Sequence, residues 1–429
     1  MNKITLENFR CFRGKQEARL APLTLLVGEN STGKTSFLAL VRALWDVGFE
    51  QIVPNFKRAP FDLGTFDQIV HTSGKRDDQV HKFEAGFNFA SPQQKERKED
   101  FHFQVVFQQK GTAPFPTERR LVRGLIWIED KPFGPDAGVW FGIDKGQREK
   151  ASSLARSANP EYLDRFEMLA LNLRRSDDKS AEKYKTIFRP FVKDFMQMKN
   201  RCIFVGAPVR SKPHRTYDPA RPTPDPEGEN IPMYLAETHF EGGHKWHELQ
   251  GALERFGKLS GLFDQFQVKR LGKSISAPFQ LQVKKAGGKS KGPWRNLIDV
   301  GYGVSQALPI VTELLRPIPL SVFLMQQPEV HLHPSAQAAI GSLFCEVAAS
   351  GRQLVVETHS DHLLERVRLD IRDGKSKLKP EDVSILYFER KDIEVNIHSL
   401  GLDRNGNVLN APPSYGKFFM EETKRSLKL

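Results

Sequence analysis

Apolar and polar positions change their period several times along the 429 residues. "ITLENFRCFRGKQEARL", residues 4–20, alternates in two short runs about Arg13-Gly14, the pattern of a β-hairpin. Leu23 to Val27 is a continuous apolar run that turns at Gly28, and from Thr35 apolar residues recur at helical spacing, so a buried strand feeds a helix. Between 83 and 143, "FEAGFNFA", "FHFQVVFQQ" and "RGLIWIED" alternate between charged and Pro/Gly stretches and predict antiparallel strands. Residues 146–200 turn helical in pattern, with "PEYLDRFEMLALNLRR" and "KYKTIFRPFVKDFMQMKN" but no sustained heptads, which predicts a compact helical insertion. A strand and a Pro-rich basic loop come next in "IFVGAPVRSKPHRTYDP", then a mobile linker over 219–230. Further on, a Gly-rich turn opens a helix in "NLIDVGYGVSQALPIVTELL". Two apolar strands lie in "LSVFLMQQPEVHLHP" and "RQLVVETHSDHLLERV", and "VSILYFERKDIEVNIHSL" is strand-like.

Composition narrows the classes. A hydrophobic content of 39% is enough for a sizeable core, which excludes a wholly disordered chain. Cys11, Cys202 and Cys345 are odd in number and far apart, fitting neither a disulfide framework nor a zinc motif, and imply a reducing, cytoplasmic setting. The charged opening residues are not a signal peptide, and no apolar run approaches the roughly 20 residues that span a bilayer, so no membrane partner is expected. A net charge of +12 leaves two readings open: a polyanionic partner such as DNA or another nucleic acid, or a basic surface with no partner.

The most specific motif is Gly28-x-x-x-x-Gly33-Lys34-Thr35, a phosphate-binding loop in the strand–turn–helix setting it requires. Glycines let backbone N–H groups close on phosphate oxygens, and the helix N-terminus adds a favourable dipole. Lys34 is expected to reach the β- and γ-phosphates of ATP and Thr35 to hold Mg2+. Gly28, Asn30, Ser31, Thr32, Gly33, Lys34, Thr35 and Ser36 are the candidate nucleotide-binding residues.

"I-x-L-x-N-F-R-C-F" followed by "L-V-G-E-N-S-T-G-K-T-S" resembles the opening of the ABC-type ATPases related to RecF, the SMC proteins and the overcoming-lysogenization-defect (OLD) family. The resemblance implies an α/β fold: an ABC-type P-loop NTPase head with an antiparallel β-subdomain and a compact helical insertion. It divides the chain into an N-terminal ATPase lobe (1–145), the insertion (146–200), a basic loop, linker and second insertion (201–290) and a C-terminal lobe (291–429). "FDLGTFDQIVHTSGK" resembles the family's Q-loop, with Gln68 as a magnesium or water-positioning residue, against the plain alternative of an exposed turn glutamine. Gly303, Ser305 and Gln306 resemble the signature that contacts nucleotide held by an opposite subunit, which implies a homodimer or higher oligomer. "GAPVRSKPHRTY" resembles a segment of one predicted-ATPase branch, in which Arg210 would face a phosphate; a solvated basic loop is the alternative.

In most relatives the position of Gln326 is Asp or Glu, which orders magnesium. The next position, here Gln327, is often the Glu that polarises water. Gln326 keeps the shape and loses the charge, so magnesium affinity and water activation are expected to weaken. Glu329 is then the candidate general base and His359 the γ-phosphate-sensing switch histidine, supported by Ser360 and Asp361. His331 and His333, two apart, either ligate a metal or, as the resemblance implies, form an interface turn. Residues 361 to 429 are too few for the nuclease domain that OLD proteins carry after the switch histidine, so any effector is expected to be separate. The function this implies is a slow ATPase that acts as sensor or scaffold for a nuclease or toxin in bacterial antiviral defence. A RecF- or SMC-like repair ATPase and a structural pseudo-ATPase are the alternatives.

Overall fold

In the computed structural model the alternating N-terminal runs form β1 (Lys3–Glu7) and β2 (Gln16–Arg19), antiparallel, with Ile4 opposite Ala18. Ile4, Leu6 and Ala18 are buried, as period-two strands with one covered face require. The continuous apolar run is β3 (Leu23–Gly28), which feeds α1 (Lys34–Trp45), a five-residue π-turn (Asp46–Glu50) and α2 (Phe66–Ile69). Six strands come after them: β4 (Lys82–Phe89), β5 (Phe101–Lys110), β6 (Ala113–Arg123), β7 (Ile126–Lys131), β8 (Gly138–Ile143) and β9 (Glu149–Lys150). Next are β10 (Ile203–Gly206), α3 (Ile231–Glu241), α4 (Gly243–Ser260), β11 (Gln265–Arg270), β12 (Phe279–Lys284) and β13 (Arg295–Asn296). The chain ends through α5 (Tyr302–Leu315), β14 (Val322–Gln326), α6 (Pro334–Ala349), β15 (Gln353–Glu357), α7 (Asp361–Arg372), β16 (Val383–Lys391), β17 (Glu394–Leu402) and β18 (Val408–Leu409).

The structure describes residues 1–50, 53–72, 81–90, 100–132, 137–143, 149–150, 191, 201–219, 225–274, 276–285, 292–318 and 321–416. Most of the helical insertion expected over 146–200 lies outside them. Within that range β9 is a strand, and the buried ring of Phe191 meets Phe101 edge-on at 5.0 Å.

Two units make up the chain. The first comprises Met1–Ala21, Gly28–Arg201 and Leu386–Ser399; the second comprises Pro22–Val27, Cys202–Ile385 and Leu400–Leu429. The first unit holds an eight-stranded antiparallel sheet in the order β2-β1-β4-β5-β6-β7-β8-β9. Its core is phenylalanine, because period-two strands direct Phe83, Phe87, Phe89, Phe101, Phe103 and Phe107 inward. Phe83–Phe107 and Phe89–Phe101 stack at 4.7 Å. These are the antiparallel strands expected between 83 and 143.

The second unit holds β10, β14, β15 and β3 side by side and parallel. Near-continuous apolar runs suit β3, β14 and β15, which are buried along their whole length, while β10 at the end of the order is half-buried. A separate antiparallel sheet is formed by β11, β12 and β13. Residues 225–230, expected as mobile linker, are pinned instead. Ala207 N–H donates to the Pro226 carbonyl (3.0 Å) and Ser211 N–H to that of Glu227 (3.1 Å).

Candidate functional site

Parallel strands of an α/β sheet present their ligands beyond the carboxyl ends. In the second unit the register aligns Leu26 of β3 with Glu357 of β15, and Glu357 with Gln326 of β14, so three strands end together. Each end runs directly into a motif: β3 into the phosphate loop, β14 into Gln327 to His333, and β15 into Thr358 to Ser360. Gln326 and Glu357 are neighbours on one face, 8% and 4% exposed. The sequence reading missed Glu357. The signal available was that VFLMQ and QLVVE are equal five-residue strands, each closing on a polar residue.

The phosphate loop belongs to the first unit. Its backbone needs glycine at both ends: Gly28 has φ +140° and its Cβ would lie 2.6 Å from the Phe388 carbonyl oxygen, while Gly33 has φ +84° and its Cβ would lie 2.6 Å from Cys11 Sγ. Ser31 also adopts positive φ, at 60°, and Arg390 Nη2 donates to its carbonyl. Lys34 is buried with its ammonium turned onto the loop, donating to the carbonyls of Gly28 (2.9 Å) and Glu29 (2.5 Å), with Thr32 Oγ1 at 3.4 Å. Thr32 Oγ1 in turn donates to the Glu29 carbonyl at 2.8 Å. Asn30, Ser31 and Thr35 are exposed, and Ser36 is buried against Arg10, whose Nη1 donates to its hydroxyl at 3.1 Å. A cradle closed by glycines, with an ammonium at its floor and a helix N-terminus beyond, has the chemistry for a polyphosphate.

Glu329 is buried at 6% exposure, and its Oε1 accepts the His359 backbone N–H at 2.7 Å. Its Oε2 is buried without a hydrogen bond. Burial pushes the carboxyl above the ordinary range, while the His359 and Glu329 backbone N–H groups, the nearby Thr358 hydroxyl and the Arg210 charge pull the other way. His359 itself is exposed. Its loop is fixed by Ser360, which caps α7 by accepting the Leu363 N–H (3.0 Å) and donates its hydroxyl to Gln337 Oε1 (2.6 Å). Gln327 takes φ +41°, donates its N–H to the Glu357 carbonyl at 2.8 Å, and accepts at its own carbonyl from Arg210 Nη2 at 3.2 Å.

Other expected residues take different places. Gln68 sits at the third position of α2, where its Oε1 accepts the Thr65 N–H at 2.8 Å in a capping box; the structure gives this side chain a helix-capping role. Gly303 lies in the first turn of α5, against the His331 carbonyl and Leu332. Ser305 is buried and donates its hydroxyl to the Tyr302 carbonyl at 2.7 Å. The Gln306 amide is fully buried, with neither its nitrogen nor its oxygen hydrogen-bonded. His333 caps α6 by accepting from Ser335, and His331 packs edge-on to Tyr302 at 5.1 Å.

Among the described residues no group of three or more His, Cys, Asp or Glu side chains stands ready to hold a metal ion. No helix among the described residues is long and apolar enough to cross a membrane.

Residues 23–365 match the family model described as "AAA domain, putative AbiEii toxin, Type IV TA system". No curated protein matches the chain. Among solved structures it is similar to an SMC head bound to the C-winged helix domain of ScpA, at 14% identity over 94% of this chain and 98% of that one, with a TM-score of 0.45. It is also similar to an Smc head with an extended coiled coil bound to the C-terminal domain of ScpA from Pyrococcus furiosus, at 13% identity, 99% coverage of both chains and a TM-score of 0.44. The SMC head domain from Thermotoga maritima gives 11% identity, 93% and 98% coverage and a TM-score of 0.41.

Proposed function

The chain belongs to the AAA-domain family whose model spans residues 23–365, and from that membership we propose a slow, ATP-gated homodimer acting as sensor or scaffold for a separate effector. The observation that carries the reading is the phosphate loop, with Lys34 buried on its own carbonyls between two positive-φ glycines. The toxin–antitoxin wording of the family description supports an effector of the nuclease or toxin kind in bacterial defence.

In this reading Lys34 moves from the carbonyls of Gly28 and Glu29 to the phosphates of ATP, and Asn30 to Ser36 line the loop. Glu329 accepts a proton from the attacking water at its free Oε2, while the His359 N–H holds its other oxygen still. Mg2+ supplies charge neutralisation at the phosphates when bound. Thr35 and Gln326 are its candidate protein ligands, with the Glu357 carboxylate beside Gln326. Gln326 lacks the charge that would draw the ion in, which is the reason to expect slow turnover. Gly303 lies in the first turn of α5, beside the exposed Tyr302, where a second copy's nucleotide would meet helix N–H donors.

The test is ATP binding, turnover and nucleotide-dependent dimerisation of the full chain beside Lys34→Ala and Glu329→Gln. Lys34→Ala is expected to lose binding and dimerisation. Glu329→Gln is expected to bind and dimerise normally while turnover falls about 100-fold or more. Normal turnover by Glu329→Gln, or normal binding by Lys34→Ala, would overturn the assignment.

A second reading, a nucleic-acid partner, is favoured by one stretch. Between Asp264 and Asp299 the sequence carries eight Lys/Arg and no acidic residue. On one face of the β11–β12 pair, Lys269 lies opposite Gln280 and Lys284 opposite Gln265, and Lys284 Nζ is 5.7 Å from the centroid of the part-exposed Trp294 ring. Cations beside an exposed ring suit a single strand. Labelled single-stranded DNA is expected to bind with an affinity that falls steeply with salt, and Lys269→Glu/Lys284→Glu should flatten that slope by about two charges. A salt-independent or absent signal removes this reading.

A further inference from the structure

Arg210 stands four residues past the end of β10, whose register with β14 pairs Gly206 with Met325. The fourth strand of the parallel set therefore delivers an arginine to the edge where Gln326 and Glu357 end. The guanidinium is 3% exposed, yet only Nη2 is hydrogen-bonded, to the Gln327 carbonyl at 3.2 Å; Nε and Nη1 are buried without partners. A buried guanidinium with two idle donors is a poor way to stabilise a fold, since the desolvation of the cation is scarcely returned. Its loop is nonetheless fastened, through Ala207 and Ser211, to the carbonyls of Pro226 and Glu227.

The object it holds is unusual backbone. Gln327 is a non-glycine residue at φ +41°, and three hydrogen bonds keep it there: its N–H to the Glu357 carbonyl, and the Val330 N–H and Arg210 Nη2 to its own carbonyl. That turn carries Gln326 at one end and Glu329 at the other, and Leu332 N–H closes it on the Glu329 carbonyl at 3.0 Å. Glu329 Oε2, like Arg210 Nε and Nη1, is buried without a hydrogen bond, and each group's charge acts on the other. Burial lowers the Arg210 pKa to about 10, which still leaves a full positive charge at neutral pH.

We propose that Arg210 is a positioning residue: through the Gln327 carbonyl it sets the turn from which Glu329 reaches its substrate. The proposal rests on the reading of Glu329 as the base that activates water. Arg210 acts through the turn and does not touch the reacting atoms. Lysine retains the charge and one donor but not the planar fork, so Arg210→Lys should be intermediate, whereas Arg210→Gln loses both the charge and the geometry.

Two measurements on the full chain test it. In hydrogen–deuterium exchange, Arg210→Gln should speed exchange about tenfold or more in the peptide covering 326–333, where the Gln327, Val330 and Leu332 N–H groups report the turn. Exchange over 265–284 should stay unchanged, and Arg210→Lys should lie between the two. In steady-state turnover, Arg210→Gln should lower kcat about 100-fold with KM for ATP unchanged, the size expected when a reacting group is misplaced by about 1 Å. The Arg210→Gln/Glu329→Gln double variant should be no slower than Glu329→Gln alone, because both changes remove one unit. Unchanged exchange at the turn in a folded Arg210→Gln protein, or multiplicative losses in the double variant, would overturn the proposal. If Glu329→Gln turns over normally, the reading of Glu329 fails, and the exchange result still decides whether Arg210 holds the turn. Should Arg210→Gln not fold, Arg210→Lys carries both comparisons.

Discussion

Gln326→Glu puts a carboxylate at the end of β14, and the register shows what it would meet. Gln326 pairs with Glu357 on the adjacent parallel strand, both under a tenth exposed. Neighbouring strands lie about 4.8 Å apart, so two carboxylates would stand at roughly 5 Å. At an effective dielectric near 20 their repulsion is about 3 kcal/mol. Without a divalent cation the variant is therefore expected to be destabilised by about that amount, a fall in Tm of about 6–12 °C at the shift of about 2–4 °C per kcal/mol usual for a domain of 150–250 residues. With ATP and Mg2+ present the deficit should close and turnover should exceed that of the parent chain, because the ion now has a charged ligand. Thermal unfolding with EDTA or with Mg2+ and ATP, beside steady-state turnover, reads these effects. A variant as stable as the parent in EDTA, or one indifferent to Mg2+ and nucleotide, would refute the view that these two strand ends form a cation-responsive pair.

Gly33→Ala combines a left-handed backbone penalty of about 1–2 kcal/mol with a Cβ 2.6 Å from Cys11 Sγ, so a loss of about 2–4 kcal/mol is expected in urea unfolding. Adding Cys11→Ala should recover only the contact part, and full recovery would show that the φ of +84° carries no cost. Burial pushes Asp46 up to about 7 against the pull of Arg42 at 2.8 Å. Between the ordinary carboxylate value of about 4 and pH 7 the folded protein keeps a proton that the unfolded chain has lost, so this group's contribution to stability falls as pH rises through that window. Asp46→Asn has no such slope and should gain on the parent between pH 5 and pH 8; parallel urea midpoints would contradict this. Gln68→Ala should cost about 1 kcal/mol through the lost capping box and leave Mg-dependent ATP affinity within about twofold. A tenfold loss of that affinity would return Gln68 to the magnesium role that its sequence position implies.

Local features were legible in the sequence, and register was hidden. The phosphate loop could be read because glycines, lysine and threonine fall within eight residues of one strand, and the chain cannot place them elsewhere. The buried strands could be read because five consecutive apolar or strand-forming positions exceed what a loop carries. Gln326 was visible as a departure from the acidic position that the sequence resemblance implies, but the carboxylate beside it was not, because Glu357 lies on another strand and only parallel pairing brings the two side by side. Arg210 marks the same limit more sharply. Its loop read as basic and proline-rich, facing a phosphate or solvated, and the pairing of β10 with β14 carries it to the Gln327 carbonyl, 117 residues away in sequence. For Gln68 the family position implies metal chemistry, while Thr65 and Gln68, three apart before an apolar pair, also spell the capping box that the structure holds. The features hidden from the sequence are thus those whose partners come from other strands. Strand order sets what meets here: parallel pairing brings the Glu357 carboxylate of β15 beside the neutral Gln326, and the loop after β10 carries the Arg210 charge to the Gln327 carbonyl.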